Sequence, residues 1–109
     1  KVEVLHAHCA DVGRDPAAIV PIAGGAVIVT DDASRVEARM KAISDVNRIP
    51  AGHEMTAFSG NPDQVAARIA AFHTAGARGY ITGMSSPHDG EIIRAFATEV
   101  IPRVQALIA

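Results

Sequence analysis

Few side chains in this sequence are placed for chemistry. Ser85 and Ser86 sit in the run Met84-Ser85-Ser86-Pro87-His88, between a predicted strand and a predicted helix. Two adjacent hydroxyls there can donate to the phosphate of a cofactor or to a substrate anion, and His88 adds a donor when protonated. Turn formation ahead of a helix cap is the competing use of the same residues. The five histidines invite a metal reading that their spacing does not support. His6 and His8 are two apart on a predicted helix, so they point to nearly opposite sides. His53-Glu54 and His88-Asp89 have no second ligand at a known spacing, and His73 lies beside Phe72 at a helix edge. No metal site is assigned. Cys9 falls on an apolar helix face, where a buried, inert thiol is expected. There is no Gly-x-Ser-x-Gly elbow, and Gly24-Gly25 precedes a strand end rather than a helix, which removes a hydrolase and a dinucleotide loop. Asn61 at a helix start is expected to cap that helix rather than to help bind an anion. Catalytic residues are not identified.

Holding these residues requires an alternation of helices and strands. Val2, Leu5, Cys9 and Val12 recur at helical spacing, and Gly13 follows where a helix would stop. Arg14-Asp15-Pro16 predicts a turn. Ile19 to Thr30 predicts a strand apolar on both faces, as a parallel strand covered by helices is; Gly24 and Gly25 mark a bulge or a close backbone approach. Asp31 or Asp32 caps a second helix with the stripe Val36, Met40, Ile43 and Val46, which Pro50-Ala51-Gly52 ends. Arg35, Arg39, Lys41 and Arg48 lie mainly on its outward, solvated side. Residues 51–59 read as a loop, with room for a short helical or extended piece.

Asn61-Pro62-Asp63-Gln64 is the clearest local signal. Asn61 caps a third helix, Pro62 suits its first turn, and Gln64 stands at the capping-box position. Val65, Ile69 and Phe72 form one face of that helix, and Gly76 ends it. Residues 78–84 predict a second strand. The last helix starts near His88-Asp89-Gly90 and carries Ile92, Phe96, Val100, Val104 and Leu107 on one face, with a kink expected at Pro102. The fold class is α/β, with a parallel sheet and right-handed crossovers. Two strands alone do not make a stable sheet. With Lys at position 1 and helical periodicity already running at Val2, the chain is expected to be a piece of a longer protein.

Several runs resemble, in order, the last quarter of bacterial luciferase-like monooxygenases, a family of flavin- or deazaflavin-dependent oxidoreductases. They are Val12-Gly13-Arg14-Asp15-Pro16 followed by Ile19, Val27-Ile28-Val29-Thr30-Asp31-Asp32, Gly60-Asn61-Pro62-Asp63-Gln64-Val65, Ala75-Gly76-Ala77-Arg78-Gly79-Tyr80-Ile81, and Phe96-Ala97-Thr98-Glu99-Val100-Ile101-Pro102. The resemblance spans nearly the whole chain, and each motif alone is mostly capping chemistry. It implies the C-terminal segment, about two βα units, of a TIM (β/α)8 barrel that needs roughly 250 residues. It further implies flavin mononucleotide (FMN) or the deazaflavin coenzyme F-420 as cofactor and a small organic molecule as substrate. The ring would be cradled mostly by earlier strands, so residues 1–109, one partial domain, are expected to be inactive alone. In TIM barrels the loops after strands seven and eight often bind phosphate, which makes Ser85 and Ser86 the candidate cofactor-binding residues; Asp31 and Asp32 speak against an anion at the other loop.

Composition narrows the alternatives. Net charge is −2 with no basic stripe, and aromatics are 4% with no Trp, which argues against a nucleic-acid surface. The longest apolar run, residues 17–29, is interrupted by Pro21, Gly24 and Gly25 and is too short to span a membrane. One cysteine fits a reducing cytoplasm. Open strand edges predict a homo-oligomer. The rival expectations are a free-standing small α/β binding or interaction module and a family member that has lost its cofactor.

Overall fold

The computed structural model describes residues 1–53, 56–84 and 87–109. Along them run α1 (Val2–Asp11), β1 (Ile22–Val29), α2 (Ala33–Asn47), β2 (Ala57–Gly60), α3 (Pro62–Thr74), β3 (Gly79–Gly83), α4 (Gly90–Ala95) and α5 (Ile101–Ile108). A 3-10 turn at Pro16–Ala18 follows α1, and a π-helical turn at Phe96–Val100 joins α4 to α5. Asp15 starts the 3-10 turn by accepting from Ala17 N at 2.9 Å. That turn and Pro21 occupy the front of the run read as a strand from Ile19, so β1 begins at Ile22.

The strands are parallel, in the order β2-β1-β3. Ala26 to Val29 pair with Ala57 to Gly60, and Ile22 to Ala26 pair with Gly79 to Gly83. The α/β class and the parallel pairing agree with the alternation of elements. Two points differ from expectation. The extended piece allowed for in residues 51–59 is a paired strand, β2, which runs on to Gly60 and makes three strands, not two. Four residues are too few to show a period of two, and Ala-Phe-Ser-Gly has little strand propensity. The second point is the order. Successive strands of a closed barrel lie side by side, whereas here α3 carries the chain past β1 to its far edge.

Residues in register share a face of the sheet. One face carries Ala23, Val27 and Val29 of β1, Phe58 of β2 and Tyr80 of β3, and it is covered. Val65, Ala66 and Ile69 of α3 and Val100 of the π turn are buried in this core. The Tyr80 ring packs on Phe72 of α3 at 5.6 Å, and the Arg68 guanidinium lies 5.0 Å over the Phe58 ring. Burial pushes the Tyr80 hydroxyl above the usual phenol range, and the nearby Arg68 charge acts weakly the other way. On the other face Ile28 is buried, and Ile43 of α2 and Ile93 of α4 close over Ala26, leaving a cavity of about 10 Å³ whose rim includes the exposed Gly83. That cover stops halfway along the sheet. Ile22 and Ile81 on the same face are 57% and 65% exposed.

Helix ends follow local chemistry with one exception. Gly13 and Gly76 take positive φ at the ends of α1 and α3, as their positions predict. α2 stops at Asn47, earlier than the Pro50-Ala51-Gly52 signal, because Arg48 turns left-handed at φ 52 and Ile49 N closes on Ser44 O at 3.0 Å. Pro102 produces a π turn. It lacks an N–H, and Ile101 N reaches back five residues to Phe96 O. Of the predicted α1 stripe only Cys9 is buried; Val12 is 74% exposed.

Candidate functional site

The carboxyl ends of the three strands meet the starts of α2, α3 and the 87–90 turn, forming one rim. After β1, Thr30 Oγ1 accepts from Asp32 N at 3.2 Å, and Thr30 bridges to Gly60 at the end of β2. Asp32 then caps α2: one carboxylate oxygen accepts from Ser34 Oγ at 2.7 Å, Ser34 N at 2.9 Å and Arg35 N at 3.4 Å. The Ser34 hydroxyl contributes most, the two backbone N–H groups next, and together they hold this carboxylate below its ordinary value. After β2, Asn61 and Gln64 form the predicted box. Gln64 N donates to Asn61 Oδ1 at 3.0 Å and Asn61 N donates to Gln64 Oε1 at 2.9 Å. Gly60 leaves room beside it, since a Cβ there would stand 3.0 Å from the Gln64 side chain and press on the box.

After β3 come Met84, Pro87, His88 and Asp89. Asp89 caps α4 by accepting from Glu91 N at 3.0 Å and Ile92 N at 3.1 Å. This turn is tied to α2 from two sides. The Arg39 guanidinium donates to Pro87 O, and Arg35 pairs with Glu91 at 2.9 Å. Between them lies a cleft of about 520 Å³ lined by Arg35, Arg39, His88 and Asp89. Arg35 is exposed, as the solvated-face expectation has it, and Arg39 is half-buried; what sequence reasoning missed is their partners, which lie 56 and 48 residues away, so no local pattern could reveal them. Lys41 does behave as a surface residue, pairing with Asp45 one turn on. The candidate cofactor-binding residues Ser85 and Ser86 lie outside the described residues.

The rim as described does not fit the phosphate of a flavin. Phosphate binds helix starts whose N–H groups are free. Here Asp32 and Asn61 fill the starts of α2 and α3 with their own side chains, and a carboxylate also caps α4. Asp32 and Asp89 add negative charge where the ligand would bring its own. Among the described residues no group of three or more His, Cys, Asp or Glu side chains is arranged to hold a metal ion. Cys9 is buried, as its helix position predicts. The Thr82 hydroxyl is buried without a hydrogen-bond partner among the described residues, but its register with Gly25 puts it on the helix-covered face rather than on the rim.

A larger groove, about 1000 Å³, runs at the amino ends of the strands between α1 and β1. Its walls are mostly apolar, with Val2, Leu5, Pro21, Ile22 and Phe72; its charged members, Lys1 and Glu3, both come from the start of α1, so it reflects the loose seating of α1 rather than a place for chemistry. No helix in the described residues is long and apolar enough to cross a membrane. Comparison with protein-family models, with curated proteins and with solved structures gives no match.

Proposed function

We propose that this chain is the closing, C-terminal part of a TIM-barrel oxidoreductase similar to the luciferase-like family. In this reading the whole enzyme reduces or monooxygenates a small organic substrate with FMN or the deazaflavin as redox centre. A bound flavin-type ring would supply the electron transfer. The observation that carries the reading is an unsealed parallel sheet. Its strand ends converge on one rim, yet both edges and half of one face stay uncovered. A sheet of this kind needs further strands; the reading requires that in the whole enzyme β2 leaves the β1 edge, which the preceding barrel strand would take. The capping box at Asn61, which the resemblance places before the last strand, supports the same reading.

Within that enzyme the described residues bind no cofactor phosphate; Asp32, Asn61 and Asp89 close their own helix starts. Their part is to build the rim. Arg35 and Arg39 hold the 87–90 turn against α2, which sets the position of Pro87 and of His88 beside it.

A second reading is a free-standing α/β binding module, and the strand order favours it. The order β2-β1-β3 belongs to doubly wound sheets, in which a ligand sits outside the carboxyl ends where the connections diverge. The cleft between α2 and the 87–90 turn lies at that end. One experiment separates the two readings. The full polypeptide that carries this chain is titrated with FMN and with F-420, and ring absorbance and fluorescence are followed. Saturable binding of either ring supports the oxidoreductase. A start codon directly before Lys1, with both spectra unchanged, overturns it in favour of the module.

A further inference from the structure

We propose that two copies of the chain pair antiparallel through β3, with Ile81 on the two-fold axis, to form one six-stranded sheet. The two edges of the sheet differ. β2 is short, and Asn61-Pro62 and the Thr30 bridge terminate it. β3 has none of the devices that guard an edge, such as an edge lysine, a proline, a bulge or an inward charge. Its five residues, Gly79-Tyr80-Ile81-Thr82-Gly83, carry no charge and pair on one side only.

The chain exposes 7224 Å², against about 5,700 Å² for a folded monomer of its mass. The excess, about 1,500 Å², reflects both the unpaired edges and the uncovered half face, and edge pairing covers the first of these. The exposed isoleucines Ile22 and Ile81 lie on the same open face, with the small residues Gly24, Gly79 and Gly83 around them. A second copy fits the β3 edge because β3 is self-complementary about its centre. With Ile81 on the axis, Tyr80 stands opposite the partner's Thr82 and Gly79 opposite the partner's Gly83. Aromatic–β-branched and β-branched pairs are favourable across antiparallel strands. The two-fold also keeps both open faces on the same side, so Ile22 and Ile81 of each copy join one apolar strip. Arg78 of one copy lies about six residues from the partner's Arg78 along the strand direction, roughly 20 Å, where screening removes most of the repulsion.

The inference rests on the second reading, the free-standing module, because a closed barrel would pair the β3 edge with a strand of its own; association and ring binding are separate readouts, so the two can fail separately. Light scattering during size-exclusion chromatography should give twice the chain mass at micromolar concentration. Ile81→Lys places two ammonium groups at the axis and should weaken association at least about 100-fold, with the helical circular dichroism kept. Ile81→Cys should cross-link to a dimer under mild oxidation, since opposed side chains are close enough to bridge. Gly83→Cys, whose side chain meets nothing within 4 Å in its own chain, should not cross-link, because the axis sets it opposite Gly79. If Ile81→Lys fails to fold, the two cysteine variants decide. The proposal is overturned by a monomer at every concentration, by species larger than a dimer, by a dimer indifferent to Ile81→Lys, or by cross-linking that is equal in, or missing from, both cysteine variants.

Discussion

Asp32 does two jobs that pull in different directions. It satisfies the first N–H groups of α2, and it places a negative charge on the rim where a phosphate-bearing ligand would approach. Its hydrogen bonds favour the ionised form, so its folded value lies below the ordinary 3.8. A depressed value stabilises the fold above the unfolded value and loses that contribution as pH falls through the folded one. Chemical denaturation of wild type and Asp32→Asn across pH 2 to 7 should therefore show a gap near neutrality that closes in acid, roughly below the aspartate range. Asparagine can still cap but carries no charge to titrate. A gap that stays constant down to pH 2 would mean that the charge adds nothing to the cap.

The end of α2 shows where an element is hidden from its own sequence. A glycine would have announced the left-handed residue that terminates it, as Gly13 and Gly76 do for α1 and α3. Arg48 takes that position instead, at φ 52, and the visible breakers Pro50 and Gly52 sit two and four residues too late. A side chain in this region costs about 1–2 kcal/mol relative to right-handed backbone. Arg48→Gly should consequently raise the unfolding free energy by about 1 kcal/mol, offset in part by the extra freedom of glycine in the unfolded chain. A lower urea midpoint for the variant would show that the Arg48 side chain holds the turn through contacts worth more than the strain.

Other elements were legible to different depths. The caps at Asp32, Asn61 and Asp89 rest on neighbours three residues away or fewer: Asn61 forms the predicted box, Asp32 is the one of the Asp31/Asp32 pair that caps, and Asp89 takes the cap within the predicted start at His88-Asp89-Gly90. β2 was not legible, because a four-residue edge strand gets its identity from the partner it pairs with. The α1 stripe was legible and still misleading. Periodicity shows which side of a helix is apolar, not whether anything lies against it, and α1 packs chiefly on the 3-10 turn behind it. The arginine links of the rim and the strand order depend on contacts between distant residues, so no window of sequence contains them.

At the scale of the whole molecule the chain is a thin plate. It measures 49 × 36 × 18 Å, with a radius of gyration of 16.4 Å, where about 13 Å is usual for a compact domain of this length. The cause is the half-open sheet: α3, with the π turn and Val104 of α5, packs on one face, while α2 and α4 cover only the carboxyl half of the other. This shape makes the mode of association measurable. Edge-to-edge pairing through β3 extends the sheet in its own plane and leaves the thickness along the sheet normal unchanged, because the two-fold is perpendicular to the sheet. Stacking of the two open faces would bring the sheets to about 10 Å apart and nearly double the thickness. Small-angle scattering reads that difference through the thickness cross-section and through a maximum dimension well beyond that of one chain. A dimer of unchanged thickness and increased length is expected; a dimer of doubled thickness would place the exposed isoleucines between two sheets and leave the β3 edges unpaired.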